Sequence, residues 1–404
     1  MKVAVWIDNS MMPTLGGGFS YTSKLVKQID EKTFDPQLEI CFIGSEKIDY
    51  RLNKSYTCIN IIDEKLSLNQ KLIIEFSRKF RIFKKLKNKI QAKNRRSTLQ
   101  RIHKQVKQAN IDIVYYLAPM QRYIPKFPFI STNWDLGHLT LPPFPEITEK
   151  NELQVRTKWY NKILPEADYI FTESEAGKNE LINLLSIPER KIKVVPIFPG
   201  NLVEMNVLGP EQKEILKKFK IEQNSYYIYP AQFWKHKNHE RLVFAFAEVF
   251  KDNPNLKLIL SGSDKGELDY ILNCIDTLGI SENIKYVGFL SNEELYVLYN
   301  NALALVFPSL LGPTNMPPLE ARAIGCPILC SDFLGHREQL GEGAIYFNPE
   351  DINSLTESMK IVLDENKRND LLKHAEAELK TSKFKVHIAV SKIEEYVLSM
   401  KMEA

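Results

Sequence analysis

At 404 residues, with 44% apolar and 26% charged positions and a formal net charge of +4, the chain is too long for one ordinary core and reads as a two-domain soluble enzyme. No stretch approaches the roughly 18 uncharged apolar residues of a membrane-spanning helix. Five cysteines, odd in number and without metal-type pairing, argue against a disulfide scaffold and for free thiols in a reducing cytosol.

Residues 3–7 form the first candidate strand, and the early Asp8 argues against a secretory leader. Gly16, Gly17 and Gly18 follow, ahead of a helical pattern over 21–29. Such a triplet lets backbone approach a ligand while the helix start presents free amides; a flexible turn is the alternative. The spacing is not Gly-x-Gly-x-x-Gly, and no acidic residue stands after strand two where a ribose would need it, so a dinucleotide site is disfavoured. Further candidate strands lie at 38–43, 111–117, 129–132, 169–172 and 193–196.

Between them, residues 78–107 carry thirteen Lys or Arg and no acid, so the rest of the chain bears a net −9. Phe80, Phe83, Leu86 and Ile90 recur through this run at helical spacing. An amphipathic basic helix of this kind suits an anionic membrane surface or a phosphate-bearing acceptor; a solvated helix packed by its stripe is the alternative. No nucleic-acid motif or aromatic stacking set accompanies it, so nucleic acid is not an expected partner.

After the fourth strand come Trp134, Asp135, Leu136, Gly137 and His138. A carboxylate and an imidazole three apart beyond a strand end can share one side of a turn, where Asp135 would orient His138 toward a hydroxyl proton. A loop aspartate beside a half-buried histidine fits the residues equally. Pro and Gly then cluster over 196–210, which marks a domain break, with one domain over 1–205 and the other over 206–383.

The second domain repeats the pattern, with strands at 227–229, 257–261, 285–287, 304–307, 327–330 and 344–347. Apolar strands alternating with helices predict an α/β fold of two doubly wound parallel sheets, whose ligands bind beyond the carboxyl ends of the strands. After the first of these strands, Lys237 precedes a helix and can neutralise phosphate charge beside Trp234. His236 and His239 have no Cys or carboxylate set around them, so no zinc or other metal is expected. The run from Gly312 to Ala321 is a strand–loop–helix junction: Pro317 or Pro318 suits the first helical turn and Gly325 a left-handed stop. Amides at that helix start can bind an anion, and Glu320, one turn in, can accept hydrogen bonds from sugar hydroxyls. An amphipathic helix over 384–402 closes the pattern.

Several of these segments together resemble the retaining nucleotide-sugar glycosyltransferases of the GT-B fold, specifically glycosyltransferase family 4. The resemblance rests on 305–327, on Ser331-Asp332, on Gln232 through Lys237-Asn238, on 172–175 and on Gly16–Gly18. It implies two Rossmann-like domains facing a central cleft, with the helix at 384–404 packing back on the first. It also implies that Glu320 bonds the donor ribose, Lys237 the diphosphate, Leu290 the base, and Thr314, Asn315 and Met316 the sugar and phosphates. Three departures stand out: Gly312 occupies the place of the family's first motif glutamate, Gln232 that of an arginine, and Trp134 that of an acceptor-side histidine, for which His138 is a substitute. The implied reaction moves a sugar from a nucleotide-diphosphate donor to a hydroxyl acceptor with retention and without metal or other cofactor. The expected acceptor is a lipid-linked saccharide of surface polysaccharide or lipopolysaccharide, met on the cytoplasmic membrane face through 78–107. A nucleotide-sugar epimerase and a catalytically lapsed binding protein are the alternatives.

Overall fold

The structure, a computed structural model, describes residues 1–7, 17–45, 51–59, 83–120 and 123–403. In the first half of the chain seven parallel strands, β1 (Lys2–Trp6), β2 (Glu39–Gly44), β3 (Tyr56–Cys58), β4 (Ile113–Tyr116), β5 (Phe129–Asn133), β6 (Tyr169–Thr172) and β7 (Ile192–Val194), pair in the order β3-β2-β1-β4-β5-β6-β7. In the second, β8 (Tyr226–Pro230), β9 (Lys257–Ser261), β10 (Ile284–Tyr286), β11 (Ala304–Phe307), β12 (Ile328–Ser331) and β13 (Ile345–Phe347) pair in the order β10-β9-β8-β11-β12-β13, again parallel. Residues alternate between two cores along β1: Val3, Val5 and Ile7 enter one, Ala4 and Trp6 the other. A strand covered on both faces must be apolar throughout, which is why the period of two is faint in the sequence.

Both sheets reverse direction at the same place, between β1 and β4 and between β8 and β11. At such a switch point adjacent crossovers leave to opposite faces, and a crevice opens beyond the strand ends. The loops that leave β8 and β11 carry Lys237 and the 312–316 run.

Helices around these sheets include α1 (Gly17–Glu31), α2 (Phe83–Gln108), α3 (Pro145–Thr148), α4 (Glu152–Lys158), α5 (Glu175–Leu185), α6 (His239–Asp252), α7 (Met316–Ile324), α8 (Leu334–Leu340) and α9 (Val386–Glu403). The segment joining the domains is pinned to the first of them: Phe198 stacks on Tyr21 of α1 at 4.9 Å, and Lys24 reaches Gly200 O at 3.0 Å and Glu204 at 2.9 Å. Helix α9 returns to the first domain and packs on α1. There Glu394 accepts from Asp35 N at 2.6 Å and pairs with Lys32 at 3.1 Å.

Three sequence expectations shift. Strand β3 has no counterpart among the candidate strands, because three half-exposed residues give too short a pattern. Helix α1 begins at Gly17 rather than at 21, so Gly17 and Gly18 lie in its first turn; Gly16 and Asp8 fall outside the described residues. In α2, Leu86 is 42% exposed and Ile90 half-buried, while Ile102 and Val106, further along, enter the core. Residues 78–82 lie outside the described residues. No helix among the described residues is long and apolar enough to cross a membrane.

Candidate active site

A cleft of about 1390 Å³ lies where the carboxyl ends of the two sheets face each other. From the first domain Gly17, Gly18, Trp134 and Asp135 line it; from the second come Gln232, Lys237 and Leu290. Thr314, Asn315, Met316, Pro317 and Glu320 complete the second wall.

Lys237 ends a tight turn, Lys235–Lys237, that Asn238 closes in the left-handed region at φ 62°. Tyr229 donates its hydroxyl to Lys237 O at 2.7 Å, and the Asn238 amide bonds Pro308 O at 3.0 Å and Pro349 O at 2.8 Å. The turn is thus fastened to the loop after β11. The Lys237 ammonium reaches Ser309 Oγ at 3.5 Å, lies over the Phe307 ring at 5.5 Å, and has no carboxylate at ion-pair distance among the described residues. Burial lowers it to about 8, with Asp135 opposing. Lys235, by contrast, is neutralised by Glu267 at 3.1 Å and Glu240 at 3.4 Å. A half-buried ammonium without a counter-ion favours an arriving anion.

Helix α7 starts at Met316, holds prolines in its first turn and stops at Gly325, φ 85°. The prolines narrow its anion-binding end: Pro317 and Pro318 have no N–H, and Asn315 N donates to Gln339 Oε1 at 3.0 Å. Of the amides at 315–317, that of Met316 has no hydrogen-bond partner among the described residues, and Met316 lines the cleft. Gly312 adopts φ 122° beside Asn315, whose side-chain amide donates to Leu311 O at 3.1 Å and to His336 Nε2 at 2.9 Å. Burial drives His336 down to about 4, so the ring is neutral; Nδ1–H donates to Ser331 O and Nε2 accepts from Asn315.

Glu320 is buried and accepts from Gly200 N at 3.1 Å through Oε1. Burial raises it to about 7, with the Gly200 amide and Lys24 pulling it back. A Cβ on Gly200 would fall 2.4 Å from that oxygen, so the glycine is what allows the carboxylate to meet the interdomain segment. Leu290 is buried beside Phe289, which is 59% exposed. Gln232 accepts from Trp234 Nε1 at 3.0 Å, and Gly18 lies under the Trp134 ring, 3.1 Å from where its Cβ would be.

Asp135 and His138 do not form the pair their spacing allowed. Asp135 Oδ1 accepts from Gly137 N at 2.8 Å and lies 3.8 Å from Arg156. A helical turn beginning at Gly137 carries His138 out of the cleft lining onto Tyr160, ring against ring at 4.4 Å. Burial, and after it Arg156, lower His138 below the ordinary imidazole range. It is a packed core histidine.

Two site features escaped the sequence reading. Glu173, just after β6, is buried at the cleft lining and accepts a short hydrogen bond from Thr314 Oγ1 of the other domain; burial raises it to about 8. Glu146 of α3 accepts from both His236 N, at 3.1 Å, and His236 Nδ1, at 2.7 Å. Neither pairing has a local signal, because the partners are 141 and 90 residues apart.

Comparison with known proteins agrees with this geometry. Residues 211–378 match the family model for glycosyl transferases group 1. The chain is 26% identical over 230 residues to the O-antigen chain mannosyltransferase B of Escherichia coli, an alignment covering 56% of this chain and 59% of that protein. The chain thus spans about three-fifths of that relative's length. Two solved structures superpose along the whole chain. Anabaena HepE, in complex with UDP and glucose, gives a TM-score of 0.68 at 16% identity, covering 99% of this chain and 100% of that one. WaaG, a glycosyltransferase involved in lipopolysaccharide biosynthesis, gives 0.67 at 11%, covering 96% and 98%. The fold is GT-B. In this GT-B chain the two Rossmann-like halves present their switch points to each other. The group 1 match falls on the half that carries Lys237 and the α7 junction.

Proposed function

We propose that the chain is a glycosyltransferase that moves a sugar from a nucleotide-diphosphate donor to a hydroxyl acceptor with retention of configuration, as in glycosyltransferase family 4. The carrying observation is Lys237: a half-buried ammonium without a carboxylate partner among the described residues, in the same cleft as the Met316 amide. Breaking the bond between anomeric carbon and phosphate oxygen leaves negative charge on the diphosphate. A fixed ammonium and an amide aimed at that charge stabilise it most in the transition state, without a metal. The second oxygen of Glu320 is the acceptor for ribose hydroxyls, Leu290 the wall beside the base, and Thr314 to Met316 the contacts to sugar and phosphates. Retention follows if the acceptor attacks the face the diphosphate leaves, with the departing phosphate taking the hydroxyl proton.

The O-antigen mannosyltransferase and WaaG likenesses support an acceptor among the saccharides of surface polysaccharide or lipopolysaccharide. The charge of 78–107 supports lipid-linked acceptors, reached from the cytoplasm by peripheral binding to anionic lipid. Release of nucleoside diphosphate from a panel of nucleotide sugars, followed by NMR of the product anomer, tests the reading. Turnover of Lys237→Ala is expected to fall by about 10²–10³, the range for removing one preorganised electrostatic contact. Near-normal turnover, or an inverted anomer, would sink it.

A further inference from the structure

If the cleft holds a nucleotide diphosphate, as proposed above, its charge is poorly matched by the cations already free. Lys237 is one. Lys235 is paired with Glu240 and Glu267, and Arg156 with Glu152 and Asp135. His236 sits between the two lysines in sequence, lines the same cleft, and is fixed on several sides. Its carbonyl accepts from Leu310 N at 2.8 Å. Its amide and its Nδ1 both donate to one oxygen of Glu146, at 3.1 and 2.7 Å.

That double contact sets the ring's chemistry. A carboxylate oxygen only accepts, so Nδ1 carries the proton and Nε2 is the nitrogen free to change state. Nε2 has no hydrogen-bond partner among the described residues. The groups that act on the ring are Glu146 from α3, Lys237 beside it and Asp135 from the loop after β5. With the cleft empty, burial outweighs Glu146 and keeps the imidazole neutral at pH 7. Glu146 stays ionised: burial pushes it up, but the bonds it accepts from His236 and from its own backbone amide more than reverse that. A neutral ring would turn a lone pair toward arriving phosphate oxygens, whereas a protonated one offers them a donor.

We propose that His236, oriented across the cleft by Glu146, takes a proton from solvent onto Nε2 when a diphosphate binds and supplies the second positive charge beside Lys237. Glu146 is the positioning residue: it belongs to the opposite domain and already holds the ring with the cleft empty, so what the diphosphate adds is the proton and not the contact. The cation is then completed by binding rather than carried permanently, and the empty cleft does not hold two unpaired charges side by side.

Calorimetric titration of uridine and guanosine diphosphate into the whole chain at pH 7.0, in buffers of different ionisation enthalpy, counts the protons taken up. At that pH Lys237 is already charged. Net uptake is expected to be larger for the unaltered chain than for His236→Gln. Affinity should fall about tenfold in that variant at pH 6.5, the lower end for a charge-assisted hydrogen bond, and by less at pH 8.5. Glu146→Gln keeps an oxygen for both His236 N–H groups but removes the charge, so its proton uptake should drop while its thermal unfolding midpoint stays close to that of the unaltered chain. Equal proton uptake by the unaltered chain and His236→Gln overturns the proposal while leaving the donor reading intact. An unaltered chain that binds neither diphosphate overturns both.

Discussion

Restoring a glutamate at position 312, where the family resemblance expects one, should damage this chain rather than improve it. Gly312 holds φ 122°, a conformation that L side chains rarely adopt. A Cβ there would lie 2.5 Å from Asn315 Nδ2 and 2.7 Å from Thr314 O, so either the loop or the Asn315 amide must move. The backbone strain is worth about 1–3 kcal/mol. Moving the amide also strips the buried His336 Nε2 of its donor, which costs about another 1–3 kcal/mol. Gly312→Glu should therefore destabilise the second domain by about 2–6 kcal/mol, and Gly312→Ala by most of that amount, because the first carbon does the harm. Urea unfolding followed by fluorescence reads the loss. In an Asn315→Ala background the added cost of Gly312→Ala should shrink toward the strain alone, a coupling that a double-mutant cycle isolates. A Gly312→Glu chain as stable as the parent, with equal or better turnover, would refute this account of the loop.

Gly200→Ala leaves the backbone unstrained, at φ −64°, but drives a methyl into Glu320; donor KM should rise about tenfold or more as the carboxylate loses its anchor, whereas an unchanged KM would separate Glu320 from donor binding. The Lys237 ammonium must be charged to meet the donor, and it titrates at about 8 in the empty cleft, so kcat/KM is expected to decline as pH rises through that value while kcat holds to higher pH. Glu173 is raised from 4.5 to about 8, so the native state keeps a proton the unfolded chain has lost, and stability drains away as pH climbs through that window. Glu173→Gln should accordingly unfold at a higher temperature than the parent at pH 8.5 and at a similar one at pH 5; the reverse order would contradict a protonated Glu173. His138→Gln should lower the unfolding midpoint and spare turnover, since the ring packs on Tyr160 outside the cleft; a loss of kcat with an unchanged midpoint would return it to the chemistry.

How much of this was visible beforehand depended on the range of the interaction involved. Lys237 before a helix and the Pro-Pro start with its Gly325 stop are local patterns, set by backbone chemistry within a few residues, and the structure has them where the spacing puts them. The alternation of apolar runs with helices was enough to predict two parallel sheets, because a strand covered on both faces has no other composition open to it. Asp135 and His138 show where such reasoning stops: three residues apart, they are separated by a helical turn that the spacing alone does not reveal, and one faces the cleft while the other packs in the core. The basic run was equally legible as charge, yet two α2 residues that enter the core, Ile102 and Val106, lie beyond the stripe that the pattern singled out.

The sequence by itself determined the two-sheet architecture and the lysine and glutamate of the second domain, since these follow from periodicity and from chemistry at a helix start. Only the tertiary structure decided that Glu173 meets Thr314, that Glu146 grips His236 and that Glu320 is held by Gly200. Each of those contacts crosses from one part of the chain to another through the closing of two sheets at matching switch points. Buried carboxylates acquire partners and shifted protons from that closure, and no local pattern of residues encodes it.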